Sequence, residues 1–415
     1  MTPTRFLFAP VLFFLVPIAS FLMASMPLAA QAQWTNQAVK FADQNFLYFP
    51  GPQSLPRETR GDIATVWGGG MREFRASEDV SNDELRIKMP KYFKKEFKTL
   101  LRVQPRKAPL VVIIPGVFSN SDDAVGKNSM KWFTEMGYHV LTLPNCWSKD
   151  FAKARPVYTD EYPFGEANVV LLATKYVIEK QIGEQNITSV QIMGESLGAL
   201  TAAVAYARDS KSKAPMFTAG ATLTWPPINL YSAMNKLDEM MASTQKIYDS
   251  KCRSNIKSIK TKWRIVRARY IKNPHDIEIE CARSIVAHYA FRRELVNLAE
   301  TIDDVEDLHK PVPEHLTFNS FIRGFAHRYE AALDPNDRYG SLEYWLSETE
   351  TRASTKIRIL TSEDDFLNYQ QIWSTSTLLG PSSARLIVAH WGGHVGLANT
   401  KAYKEFIKVQ FDLRD

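Results

Sequence analysis

The sequence predicts an α/β protein: a doubly wound, mostly parallel sheet with a helical cap inserted before its last strands. Three observations lead there. Pro109–Ile114 (PLVVII) is an unbroken, largely β-branched run without alternation, the pattern of a strand buried on both faces of a parallel sheet. Similar short runs follow it and alternate with helical stretches, as βαβ units do. That alternation stops near Trp225 and resumes near Lys356, with no buried-strand pattern between.

Composition agrees. The 415 residues carry 51 Lys+Arg against 45 Asp+Glu, a formal charge of +6, and are 45% hydrophobic and 12% aromatic. A disordered chain would lack those aromatics and carry a larger charge imbalance. Gly (19) and Pro (22) are neither abundant nor periodic, which excludes collagen-like and low-complexity architectures. A single long apolar stretch excludes a polytopic membrane protein.

In chain order, that stretch comes first. After Arg5 no charge appears until Lys40, Phe6–Met23 is strongly apolar, and Ala30-Gln31-Ala32 has the A-x-A form of a cleavage site. Pro10, Pro17 and Pro27 interrupt it, which suits a cleavable signal (residues 1–32) better than the alternative, an uncleaved anchor. An exported protein, periplasmic or secreted, is expected. Residues 33–108 read as a lead-in with two strands. Glu84–Met89 alternates charged and apolar residues, and Phe97–Val103 is a second candidate.

The first part of the core, 109–225, holds the strands Pro109–Ile114, His139–Leu143, Ser189–Met193 and Thr218–Thr224. Its helices are Lys127–Met136, Glu166–Lys180 and Leu197–Ala207. Residues 226–350 form the helical cap, and 351–415 complete the core with Ile357–Leu360 and Ala384–Ala389. Of three cysteines, Cys252 and Cys281 lie in the cap and could pair or stay as separate thiols, leaving Cys146 single. No CxxC, HExxH or Cys/His cluster occurs, and neither a metal nor an organic cofactor is expected.

Chemistry concentrates at Gly194-Glu195-Ser196-Leu197-Gly198. Alone, a Gly-x-Ser-x-Gly match is weak; here a buried strand precedes it and an Ala-rich helix follows. That context is a sharp elbow lifting a serine hydroxyl above the sheet edge, with glycines where strand and helix come too close for a Cβ. A serine at neutral pH needs a base oriented by a carboxylate, and in this architecture both follow it in the order acid, then His. After the strand Ile357–Leu360 comes Thr361-Ser362-Glu363-Asp364-Asp365-Phe366, with Asp364 and Asp365 both available. After Ala384–Ala389 comes His390-Trp391-Gly392-Gly393-His394-Val395-Gly396. His394, set among glycines that let the loop approach the elbow, is the candidate base; His390, at the strand end, reads as structural.

On these pieces the chain resembles the α/β-hydrolase superfamily, and more narrowly the YheT-like branch of acyl esterases and lipases. The elbow, the acidic turn Glu363–Asp365 and the Gly392–Gly396 loop match that branch. The segments Phe318–Phe321, Gly324-Phe325 and Glu343–Trp345 match more loosely the return from cap to sheet. The resemblance implies the α/β-hydrolase fold, a Ser196, Asp365, His394 triad with Asp365 preferred to Asp364, and an oxyanion hole. Its donors would be the N–H groups of Val117 (or Phe118) and Leu197. One departure stands out: where the superfamily usually reads His-Gly after the first buried strand, this chain has Pro115-Gly116.

The expected activity is therefore cleavage of a carboxylic ester with an apolar acyl chain, on a small-molecule or lipid substrate. A thioesterase, amidase or peptidase on the same triad is an alternative, as is a catalytically silent envelope binding protein. Lys246–Lys272 adds ten basic residues against one acid, and Ile256, Ile259, Trp263, Val266 and Tyr270 recur on one helical stripe. Such a cap helix can dock on an anionic membrane surface, or instead pack its stripe inward and solvate its charges. No nucleic-acid-binding motif appears, and no nucleic-acid partner is expected.

Overall fold

The computed structural model describes residues 61–65, 83–158, 160–256, 281–368, 384–389, 392–398 and 401–411. The expected signal segment, most of the basic stripe and His390 lie outside the described residues. Ile256, the first residue of the stripe, is buried in the cap.

Eight strands build one sheet: β1 (Glu84–Ile87), β2 (Phe97–Arg102), β3 (Ala108–Ile114), β4 (His139–Thr142), β5 (Ile187–Glu195), β6 (Gly220–Thr224), β7 (Ile357–Ser362) and β8 (Arg385–Ala389). They lie in the order β1-β2-β4-β3-β5-β6-β7-β8. β2 runs antiparallel to both of its neighbours, and every pairing from β4 to β8 is parallel. This is the fold class expected, a mostly parallel α/β sheet with helices on both faces.

The unbroken apolar run of β3 shows why the alternation is missing. Leu110, Val112 and Ile114 face one core, shared with helices α2 (Phe164–Tyr176) and α3 (Leu197–Ser210). Val111 and Ile113 face a second core, shared with α1 (Ala124–Glu135) and α8 (Lys401–Gln410). Both parities are buried, so both must be apolar; each such side chain contributes about 1.5–3 kcal/mol by leaving water. The helix expected over Glu166–Lys180 is less regular than its sequence suggests. It is α-helical to Tyr176 and then widens into a π-helical turn, Val177–Ile182, that ends at Gly183.

Between β6 and β7, which pair directly, the described residues carry helices and no strand. α4 (Leu230–Ile247) starts at Asn229, whose side chain accepts the Ser232 N–H. α5 (Arg293–Glu306) follows a π-helical stretch, Ile285–Arg292. α6 (Phe318–Phe325) begins with a capping box between Thr317 and Ser320. It is pinned to α4 by Asp238, which accepts the N–H groups of Phe318 and Asn319. α7 (Leu342–Glu348) leads back to the sheet. Cap entry and exit meet in a narrow neck: Asn229 bridges Ser341, and the Leu342 N–H donates to the Ile228 carbonyl.

Cys252 and Cys281, both fully buried, form a disulfide across a sequence separation of 29, and Cys146 is a buried free thiol. The bond ties the end of α4's extension to the start of the next described cap segment. Closing a loop of that length stabilises by about 3–4 kcal/mol in the chain-entropy view. One free thiol should titrate in the denatured, non-reduced protein, and three after reduction. Reduction should also lower the denaturation midpoint.

Candidate active site

Ser196 sits between the end of β5 and the start of α3 at φ 54°, ψ −125°, a backbone region that a side chain rarely adopts. Two hydrogen bonds hold it there. Its N–H donates to the Thr224 carbonyl at 2.8 Å, and the Thr224 hydroxyl donates to the Gly194 carbonyl at 3.0 Å. The flanking glycines are required for different contacts. A Cβ on Gly194 would lie 2.2 Å from the Gly198 carbonyl oxygen, so strand and helix do collide as expected. A Cβ on Gly198 would instead strike the end of β3, 2.3 Å from the carbonyl oxygens of Ile114 and Pro115. The elbow is wedged against a neighbouring strand as well as against itself.

The three residues expected to work together are brought together. Ser196 Oγ lies 2.8 Å from His394 Nε2. His394 Nδ1 lies 3.1 and 3.2 Å from the two carboxylate oxygens of Asp365. An ionised carboxylate only accepts, so Nδ1 carries the proton and Nε2 is left as the acceptor for the serine hydroxyl. All three side chains are buried. Of the two candidate acids, Asp364 points elsewhere and accepts the Gly393 N–H at 2.8 Å. Asp365 also accepts from the Leu367 N–H, the Asn368 side-chain amide and the Thr361 hydroxyl.

The loop Pro115–Phe118 passes directly beside the serine. A Cβ on Gly116 would lie 3.3 Å from Ser196 Cβ, and Phe118 turns at φ 66°. Val117 therefore follows the residue that abuts Ser196, and Leu197 opens α3, where the first-turn N–H groups and the helix dipole favour negative charge. Four phenyl rings from four parts of the chain run on from the His394 ring. Phe118 lies 6.4 Å from Phe291 and 6.2 Å from Phe318, Phe291 lies 6.3 Å from Phe366, and Phe366 lies 5.5 Å from the His394 ring.

Sequence reasoning missed part of the site. Residues 61–65, inside the segment read as an irregular lead-in, form a helical turn that holds the histidine loop. The Thr65 hydroxyl accepts the His394 N–H at 2.8 Å and donates to the Gly61 carbonyl at 2.8 Å. A Cβ on Gly393 would lie 2.1 Å from that same carbonyl oxygen. Asp62 pairs with Arg283 of the cap at 3.7 Å. No local pattern in Gly61-Asp62-Ile63-Ala64-Thr65 announces a partner more than 300 residues away. Asn368 was also missed; a short polar residue three positions after the acid was the available signal. Among the described residues, no group of three or more His, Cys, Asp or Glu side chains is arranged to hold a metal ion.

No family model matches the chain, and no curated protein matches it. Solved structures are similar to it in fold. An esterase of Pyrococcus furiosus superposes with a TM-score of 0.43 at 12% identity, covering 81% of this chain and 90% of its own. A hyperthermophilic esterase from Pyrobaculum calidifontis gives 0.41 at 13% identity, over 86% of this chain and 91% of its own. The Pyrococcus horikoshii acylaminoacyl peptidase gives 0.45 at 12% identity, over 80% of this chain and 42% of its own. Likenesses at this level concern the overall fold and transfer no activity.

Proposed function

We propose that the chain is a serine hydrolase that cleaves a carboxylic ester with an apolar acyl group. The observation that carries the proposal is the Ser196 hydroxyl 2.8 Å from His394 Nε2, with Asp365 on the far nitrogen of the ring. Ser196 attacks the acyl carbon while His394 takes its proton. The imidazolium then protonates the leaving alcohol, and water repeats the sequence on the acyl-enzyme. Asp365 fixes the tautomer and balances the imidazolium charge. The N–H groups of Val117 and Leu197 receive the oxyanion, a role typically worth about 3–4 kcal/mol per donor. The Phe366 ring, 5.5 Å from that of His394, and the Phe291 and Phe118 rings that continue from it favour an apolar acyl group over a charged one.

The elbow, the acidic turn and the Gly-rich histidine loop keep the YheT-like acyl esterases as the narrower reading. Export through residues 1–32 is part of the proposal and is supported by the Cys252–Cys281 disulfide, since such bonds persist in oxidising compartments.

A fluorophosphonate probe should label the protein, and Ser196→Ala should remove both labelling and hydrolysis of p-nitrophenyl acyl esters. An unlabelled wild type would sink the proposal and leave a silent binding protein. Thioester and amide analogues across acyl chain lengths, run beside the esters, identify the bond. Faster turnover of an amide than of the matching ester would move the reading to a peptidase or amidase.

A further inference from the structure

Asn368 is buried at 1% exposure and spends its whole side chain on two structures at once. Its amide nitrogen donates to Asp365 Oδ2 at 3.1 Å and to the Pro226 carbonyl at 2.7 Å. Its amide oxygen accepts the Ile228 N–H at 3.0 Å. Only this orientation satisfies all three, because a flipped amide would turn its oxygen toward two acceptors. Pro226 and Ile228 are the entry of the cap, and the Ile228 carbonyl in turn accepts the Leu342 N–H of the cap's exit. We propose that Asn368 is a positioning residue: it orients the Asp365 carboxylate and ties it to the neck of the cap. The inference rests on the reading of Ser196, His394 and Asp365 as a catalytic triad.

The physical need is clear from burial. Asp365 is fully buried, so no bulk water neutralises its charge, and each oxygen depends on protein donors. Oδ1 has the Leu367 N–H, and Oδ2 has the Asn368 amide, with the Thr361 hydroxyl more distant at 3.5 Å. Without the amide, Oδ2 loses its near donor apart from His394 itself. The less compensated carboxylate then holds an imidazolium more strongly, which raises the pH at which His394 becomes a free base. The carboxylate also loses its link to the cap neck, and the ring it orients loses alignment with Ser196.

Two variants test this. Asn368→Leu should lower kcat for a p-nitrophenyl ester by about 10- to 100-fold, the effect of one lost hydrogen bond to a charged group. It should also move the acid limb of the pH–rate profile upward. Asn368→Asp should behave differently. Beside the Asp365 carboxylate, the introduced carboxyl has a raised pKa and can donate only while protonated. Its activity should therefore be retained at lower pH and lost as pH rises, giving an alkaline limb that the wild type lacks. Loss by the same factor at every pH in both folded variants would mean a merely structural role and would overturn the inference.

The downfield proton resonance of His394 Nδ1–H provides a readout independent of turnover. It should shift in Asn368→Leu, and an unchanged resonance would overturn the inference even if the wild type proves to act on no ester. Failure of the wild type to react with a fluorophosphonate would instead strike the proposed function.

Discussion

Replacing Asp365 with Asn should lower ester turnover by about 10,000-fold while leaving the fold intact. The amide can present its N–H₂ to His394 Nδ1, which then loses its proton to the tautomer with hydrogen on Nε2. That tautomer cannot accept the Ser196 proton across the 2.8 Å contact. Asp364→Asn is the matched control, one residue away in the same turn. Its substitute still offers an oxygen to the Gly393 N–H, and turnover should fall by no more than about tenfold, the scale of one altered hydrogen bond. kcat measured for both variants on one p-nitrophenyl ester decides between the two carboxylates. A larger loss at 364 than at 365 would reverse their roles.

Gly198→Ala should destabilise the protein by more than about 4 kcal/mol, beyond the usual range for a point substitution. The added Cβ would stand 2.3 Å from two backbone carbonyl oxygens at the end of β3, and backbone cannot step aside as a flexible side chain can. The start of β3's following loop, which runs past Ser196, would have to move with it. Little soluble protein, or a sharply lower denaturant midpoint, is the expected result. Gly324→Ala gives the contrast. Nothing lies within 4 Å of a Cβ there, in the last turn of α6, so the change should be neutral or stabilising by about 0.5–1 kcal/mol. Equal midpoints for both variants would show that the elbow is not wedged as described.

What could be read from the residues alone was whatever short-range pattern dictates. The apolar runs marked the strands because burial on both faces allows no polar residue, and the glycines around Ser196 and His394 marked backbone turns too tight for a side chain. The Ser, acid, His order followed from those turns, each falling at the C-terminal end of a parallel strand, where the topology gathers loops at one sheet edge. The residues of the turn left both Asp364 and Asp365 open, and only the family resemblance preferred Asp365, because neighbouring residues in a turn point in different directions and the assembled loop alone shows which faces the imidazole. The same holds for Thr65 and Asn368. One supports His394 from a segment with no strong local signal, and the other joins the triad acid to the cap neck. The pairing of Cys252 with Cys281 was equally open, since sequence spacing sets the loop length and says nothing of distance. Local pattern determined the elements and the chemistry at their ends. Contacts between residues far apart in the chain, which carry no periodicity, were decided only by the tertiary structure.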